Sequence, residues 1–235
     1  GEHMRIGMRK GFSLIEIGIV MVVIGLIIAA VMKGKDVIKG AEVKETTQNF
    51  LSKWVSSADI YYDKLGYNIY GASSAPMINA DSNDTESFVK CVSVLTGTST
   101  AQNGRLIIAE MQTAGINITN LVKTDTGDVC NSYISGEYTE DKLVTAHFDY
   151  LSIDGVNRNV IIFNNVPVDV AKAFDKLADS VIDGSKGKVV VTNSTDSVMT
   201  GQNESTTLPT ADSNTTGWAK VTKNAITNVI VILEH

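Results

Sequence analysis

The feature that most constrains this chain is an almost unbroken apolar run at residues 11–32, GFSLIEIGIVMVVIGLIIAAVM. Between Phe12 and Met32 the only polar side chains are those of Ser13 and Glu16. A helix rises about 1.5 Å per residue, so about 20 residues cross the hydrocarbon core of a bilayer. The run therefore predicts a hydrophobic transmembrane helix over residues 12–32.

The residues before this run indicate its orientation and its processing. Arg5, Arg9 and Lys10 favour a cytoplasmic N-terminus and an exported C-terminal part, although the lysines within residues 33–39 weaken that bias. In a secretory signal peptide, the small residue of the cleavage site follows the apolar core. Here the small residue, Gly11, precedes it. Cleavage after Gly11 would leave the apolar helix as the mature N-terminus.

The segment Lys10-Gly11-Phe12-Ser13-Leu14-Ile15-Glu16 resembles the prepilin signal of type IV pilins and type II secretion pseudopilins. The similarity continues through Ile19-Val20, Gly25-Leu26-Ile27 and residues 32–38. The resemblance implies that residues 1–11 are a leader and that prepilin peptidase cleaves between Gly11 and Phe12. It also implies methylation of the new Phe12 amine.

Glu16 is the single carboxylate of the apolar run. A charged side chain at the centre of a membrane helix costs about 2.5–3.5 kcal/mol on insertion scales, so Glu16 needs a partner or a purpose. The resemblance implies that it pairs with the Phe12 amine of a neighbouring subunit during assembly. The implied partners are copies of the same chain, joined as a helical polymer through residues 12–32, and the inner-membrane assembly machinery. The alternative is a tolerated polar residue near the membrane interface.

The helix is predicted to continue beyond the apolar run, to about residue 65. One apolar stripe recurs there at spacings of four, four, three and four: Phe50, Trp54, Ala58, Tyr61 and Leu65. Gly66 is the predicted C-cap. Residues 33–66 are therefore an amphipathic half, with a head domain expected along one face. Three glycines, Gly25, Gly34 and Gly40, are candidate sites of bending.

Residues 67–235 are expected to form one globular head. Its first predicted elements are two short helices, one starting at Thr85 and one within residues 104–115, although residues 88–95 could instead form a strand. Strands at 143–153 and 160–163 follow, joined by Asp154-Gly155. A helix starts at Val166-Pro167, carries the stripe Val170, Phe174, Leu177 and Val181, and ends at Asp183-Gly184. The remaining predictions are a strand at 188–192, an exposed loop at 193–217 and strands at 218–221 and 226–233. The order after Asn165-Val166-Pro167 resembles the heads of class b type IV pilins. Those heads often carry a cysteine in the helix after the proline, where this chain has Ala171. The predicted class is α+β and pilin-like, a long N-terminal α-helix packed on a mainly antiparallel sheet.

The chain has two cysteines, Cys91 and Cys130. An exported head would meet an oxidising compartment, which favours a disulfide between them. Two free buried thiols are the alternative.

The remaining chemistry of the sequence favours no catalytic or nucleic-acid function. The net charge of -6 gives no electrostatic reason to bind nucleic acid. There is no Gly-rich phosphate loop and no metal-spaced His/Cys cluster, so we expect no enzyme activity, no cofactor and no metal. Two acidic loops, at residues 81–84 and 125–128, could supply calcium ligands but read better as solvated turns. Residues 1–3 and 233–235 resemble cloning scars.

The function expected from the resemblance is structural: a subunit of a type IV pilus filament. It would reside in the bacterial inner membrane as a prepilin and then in an extracellular pilus. One alternative is a pseudopilin of a type II secretion system, which stays in the periplasm. A membrane-anchored binding module that never polymerises is the other.

Overall fold

The computed structural model describes residues 11–69, 77–78, 107–118, 121, 130–153, 156–182, 184, 187–192 and 226–235. The chain divides into two compact units, residues 1–40 and residues 41–235. The following predicted features lie outside the described residues: leader residues 1–10, the Asp154-Gly155 turn, the helix starting at Thr85, Cys91, the two acidic loops, the 193–217 loop and the 218–221 strand.

The apolar run forms most of the first helix, α1 (Leu14–Thr46). Its helical geometry continues through Gly25, Gly34 and Gly40 without a break. The continuous helical segment Leu14–Leu65 is long and apolar enough to cross a membrane, and its most apolar window is entirely exposed. This segment could therefore serve as a membrane anchor.

The helix changes geometry at residues 47–51, near the start of the second compact unit. A π-helical turn, Thr47–Leu51, joins α1 to α2 (Ser52–Leu65). The Thr47 hydroxyl donates to the Val43 carbonyl at 2.8 Å, and Ser52 donates to the Thr47 carbonyl with both its N–H and its hydroxyl, the latter at 3.1 Å. The main-chain bond from Ser52 to the Thr47 carbonyl spans five residues, which is the spacing of a π-helical turn. Gly66 then ends α2 with a φ of 75°, as predicted for the C-cap.

In the part of the head that the structure describes, five strands form an antiparallel sheet. Its strands are β1 (Asn131–Ile134), β2 (Lys142–Ile153), β3 (Val156–Pro167), β4 (Val189–Thr192) and β5 (Ile226–Ile232), in the spatial order β1-β2-β3-β5-β4. Ile153 pairs with Val156 across two intervening residues, so the predicted hairpin is confirmed. Strand β1 was not predicted. In β3 the register shifts between Phe163 and Val166.

The amphipathic half of the helix packs on one face of this sheet. The ring centroids of Phe50 and Phe163 lie 5.9 Å apart, and those of Trp54 and Phe148 lie 6.2 Å apart. Four members of the predicted stripe are buried, whereas the fifth, Leu65, is 36% exposed. The α+β class, with a long N-terminal helix and an antiparallel sheet, is confirmed.

The other face of the sheet is also buried. Side chains alternate along a strand, so His147 and Asp149 lie on the face opposite to Phe148. A second apolar cluster includes Leu151, Ile153, Val160, Ile162, Val190, Ile230 and Ile232. Both faces of the sheet are therefore core.

Helix α3 (Ile107–Thr113) confirms the short helix predicted within residues 104–115. The Tyr61 hydroxyl donates to Glu110 Oε2 at 3.1 Å, and Lys64 Nζ donates to the Ala114 carbonyl at 2.7 Å. Two polar contacts thus fix α3 to α2.

Helix α4 (Val168–Asp179) begins after Pro167, as predicted, but ends earlier than the predicted Asp183-Gly184. Ser180 takes a φ of 63°, and the Asp179 carboxylate accepts the main-chain N–H groups of Lys188 and Val189 at 2.9 and 3.0 Å. The predicted apolar stripe is wrong in its second half. Leu177 is 51% exposed in the last turn of α4, and Val181 is 58% exposed beyond the end of the helix.

Candidate functional site at the start of the apolar helix

The predicted cleavage point lies just before the first turn of α1. Residues 11–13 are non-helical, and Gly11 and Phe12 are exposed. A Cβ placed on Gly11 would meet nothing within 4 Å. The peptide bond between Gly11 and Phe12 is therefore open to an enzyme within the described residues. Cleavage and methylation of Phe12 remain predictions.

Ser13 and Glu16 form a reciprocal cap at the helix start. The Ser13 carbonyl accepts the N–H of Ile17 at 3.2 Å, which makes Ser13 the N-cap. Its hydroxyl oxygen accepts the N–H of Ile15 at 3.3 Å, and Glu16 Oε2 accepts the N–H of Ser13 at 3.3 Å. This arrangement is a variant of the capping box, in which the N-cap hydroxyl accepts the N–H of the second helical residue instead of the third. The capping role of Ser13 was not predicted, although Ser-x-x-Glu before an apolar run signals this motif.

The Glu16 carboxylate lies in a favourable local field. The N-terminal end of a helix carries a partial positive charge because its first N–H groups are unpaired within the helix. A carboxylate in the first turn is stabilised there by about 0.3–1 kcal/mol on exposed surfaces. That gain offsets only part of the cost of placing Glu16 in lipid. A cation beside the Glu16 carboxylate would lower the free energy of the charged side chain in lipid further.

The surface around this carboxylate is apolar. The neighbours Leu14 and Ile15 are both exposed, and so are the large apolar side chains that follow along α1: Ile17, Ile19, Val20, Met21, Val22, Val23, Ile24, Leu26, Ile27, Ile28, Val31, Met32, Val37 and Ile38. Contiguous exposed apolar surface of this extent marks contact with a membrane or with other proteins. Ser13 and Glu16 therefore lie at the N-terminal end of a helix whose surface is largely apolar.

Two titratable side chains of the head, His147 and Asp149, are buried. Burial lowers the pKa of His147 to about 4. Burial raises the pKa of Asp149 to about 6, against the hydrogen bond from the Tyr150 N–H, which lowers it. His147 Nε2 and Asp149 Oδ2 have no hydrogen-bond partner in the described part of the chain. Within those same residues, no group of three or more His, Cys, Asp or Glu side chains could hold a metal.

Cys130 is fully buried and disulfide-bonded. Cys91, the other cysteine of the chain, is among the residues not described. The pairing of these two cysteines remains a prediction.

The last residues pack against the head. The Leu233 N–H donates to the Asn159 carbonyl at 2.9 Å, and the main-chain oxygen of His235 accepts the side-chain amides of Asn68 and Asn159 at 3.0 and 2.9 Å. Leu233 thus extends the pairing of β5 with β3 by one main-chain bond, and His235 contacts two asparagine side chains.

No family model, no curated protein and no solved structure matches this chain.

Proposed function

We propose that this chain is the structural subunit of a type IV pilus filament. It is stored in the bacterial inner membrane as a prepilin, cleaved after Gly11 by prepilin peptidase, and polymerised through residues 12–32 with the aid of inner-membrane assembly machinery. The observation that carries the proposal is an exposed apolar helix with one carboxylate in its first turn, beside an exposed Gly11-Phe12 bond.

The physical argument begins with the apolar surface of α1. In lipid this surface contacts acyl chains, and in a filament core it would contact the same helix of other copies. Exchange of one apolar environment for another changes little free energy by itself, so packing and polar contacts decide the balance. Glu16 supplies such a polar contact.

Cleavage would create the partner that Glu16 requires. Removal of residues 1–11 leaves a positively charged amine on Phe12, near the cytoplasmic end of the helix. A carboxylate of one subunit and an amine of another attract strongly in a medium of low dielectric constant. The cost of burying Glu16, about 2.5–3.5 kcal/mol, then favours an assembled state over a solitary helix.

The head fits the role of an outward-facing domain. Its own core is closed, since both faces of the sheet are buried. The N-terminal 40 residues are net basic, so the acidic excess of the chain lies in the head. Such a surface remains hydrated outside a filament and would be available for adhesion.

Expression in the native host of wild-type chain, Glu16→Ala and Glu42→Ala provides the test. Glu42 is an exposed carboxylate of α1 outside the apolar run and serves as the matched control. We expect extracellular fibres that contain the chain in wild type and Glu42→Ala, and their loss in Glu16→Ala. Normal fibre formation by Glu16→Ala would rule out the assembly role.

The location of the filaments separates the proposal from its alternatives. Filaments confined to the periplasm would identify a pseudopilin of a type II secretion system. If an unrelated membrane span in place of residues 12–32 preserved function without filaments, the chain would be a membrane-anchored binding module. Mass spectrometry of chain from native membranes tests processing, because a mature chain that retains Gly11 contradicts the cleavage.

A further inference from the structure

We infer that the outer edge of strand β4 is a surface for self-association that the Asp179 carboxylate keeps closed. The partner that this edge would accept when open is β4 of a second copy of this chain. The edge belongs to the head, so its state does not depend on polymerisation through residues 12–32.

Strand β4 has the composition of an edge that needs protection. It lies at one end of the described sheet, beside β5. Its sequence, Val-Val-Val-Thr, consists entirely of β-branched residues and contains neither a charge nor a proline. Such residues favour extended strands, and an uncharged edge strand is a template for pairing with another chain. Charged side chains or proline often protect natural edge strands, and β4 has neither.

The outward N–H groups of β4 are instead bound by the head itself. The Lys188 carbonyl accepts an N–H from β5 at 2.8 Å, so the N–H groups of Val189 and Val191 point away from β5 by the alternation of an antiparallel pair. The Val189 N–H donates to Asp179 Oδ2 at 3.0 Å, and the Val191 N–H donates to the Gly184 carbonyl at 2.9 Å. Both donors that a further strand would use are therefore occupied.

Asp179 is the stronger of these two closures. The bond between Val191 and Gly184 joins two neutral groups, so a carbonyl of another strand could replace it at little cost. A hydrogen bond to a carboxylate is stronger, and Asp179 makes two of them, since its Oδ1 also accepts the Lys188 N–H at 2.9 Å. Asp179 therefore decides whether the edge stays closed.

Gly187 offers a second way to open the same edge. Its φ is 91°, a conformation that residues with a side chain rarely adopt, and an added Cβ would lie 2.5 Å from Asp179 Oδ2. A methyl group at this position would displace the carboxylate or the main chain that enters β4. Gly187→Ala would thus disturb the closure without removing a charge.

An open edge fits the same strand of a second copy. In an antiparallel pair of two β4 strands, each strand places its outward N–H groups opposite the carbonyl groups of the other. Such a contact uses the same surface on both copies, so it closes as a two-fold dimer and cannot grow into a filament. This property separates it from polymerisation through α1.

Five versions of the full chain in excess detergent test the closure: wild type, Asp179→Ala, Asp179→Asn, Gly187→Ala and Asp63→Ala. The last is the control, because it removes an exposed carboxylate of α2. Sedimentation gives the protein mass per micelle as a function of protein concentration, and amide exchange is followed at residue 189. Near-UV circular dichroism checks that each version is folded. Detergent covers the apolar surface of α1 equally in all five.

We expect wild type and Asp63→Ala to be monomeric at every concentration. At low concentration, Asp179→Ala and Gly187→Ala should exchange the amide of residue 189 about tenfold faster than wild type, because the bond to the carboxylate is lost. Both should become dimers as the concentration rises, which slows that exchange again. Asp179→Asn keeps one acceptor oxygen, so its exchange should increase by a smaller factor, about threefold.

Three results would overturn the inference. One is faster exchange at residue 189 in the opened variants without any dimer at high concentration. Another is wild-type exchange at this residue in Asp179→Ala, which would show that the carboxylate does not close the edge. The third is dimerisation of Asp63→Ala to the same extent, which would attribute association to the loss of charge. If Asp179→Ala lost its fold, Gly187→Ala and Asp179→Asn would decide the same questions.

Discussion

Burial shifts the pKa values of His147 and Asp149, two residues apart on β2, in opposite directions. The pKa of His147 in the folded chain, about 4, lies below its ordinary value of 6.5, so the folded state loses stability as pH falls from 6.5 towards 4. The pKa of Asp149, about 6, lies above its ordinary value of 3.8, so stability present below 3.8 is lost as pH rises through 6. Between about pH 4 and 6 the two effects oppose each other.

The variant Asp149→Asn should reveal this balance. Asparagine can still accept the Tyr150 N–H and carries no charge to bury, so we expect it to exceed wild type in stability by about 3 kcal/mol at pH 8, since each pKa unit is worth about 1.4 kcal/mol. The difference should shrink as pH falls below 6. Urea unfolding from pH 4 to 8 measures it, with the exposed Asp63→Asn as control. A difference that is constant with pH would contradict the assignment.

For single residues, the sequence shows which side chains are chemically unusual in their segment, but it does not show how deeply each one is buried. The carboxylate of Glu16 is evident because it interrupts an apolar run. The placement of His147 in a strand was also predictable. Its burial was not, because the second face of an antiparallel sheet is often solvated and only tertiary packing covers it here. The role of Ser13 was within reach through its spacing to Glu16.

At the scale of elements, the second half of the helix contributes large side chains to the core of the head. Trp54 is fully buried and packs edge to face on Phe148. We expect Trp54→Ala to cost about 3–5 kcal/mol, because a large ring leaves a cavity that the surroundings fill only in part. Ile60→Ala in the same helix should cost less than about 1 kcal/mol, because Ile60 is 45% exposed. Urea unfolding in detergent compares the two, and equal losses would contradict this packing.

Periodicity explains which elements were predictable. The stripe from Phe50 to Tyr61 and the alternation in β2 repeat often enough to specify a face. Strand β1 has four residues, too few for alternation to appear. The end of α4 depends on Asp179, whose carboxylate binds main-chain groups nine and ten residues later. This contact joins residues from two different elements, so the local sequence pattern does not predict it.

At the scale of the whole molecule, the disulfide of Cys130 is one determinant of head stability. We expect a peptide that links Cys91 to Cys130 in a non-reducing digest. Breaking the bond with a reductant under partly denaturing conditions should cost about 2–5 kcal/mol, since the cross-link restricts the unfolded chain. Unfolding with and without reductant measures the loss. A chain that shows two free thiols after native purification would contradict the prediction.

The division at Gly40 leads to a prediction about the two units. Every member of the main core cluster lies at or after Val43, so residues 41–235 contain the material of their own core. A chain of residues 41–235 should therefore fold without detergent and remain monomeric. Its stability should lie within about 1 kcal/mol of the head in the full chain, because the new helix end lacks a cap.

The full chain should instead require detergent, because the apolar surface of α1 has no cover within its own unit. Size-exclusion chromatography and thermal unfolding of both proteins test this difference. Aggregation or loss of cooperative unfolding in the shorter chain would show that the head needs residues 1–40 to fold. A monomeric, cooperatively folded chain of residues 41–235 would agree with the proposal that the chain assembles through its N-terminal unit, which contains Glu16 and the exposed apolar surface.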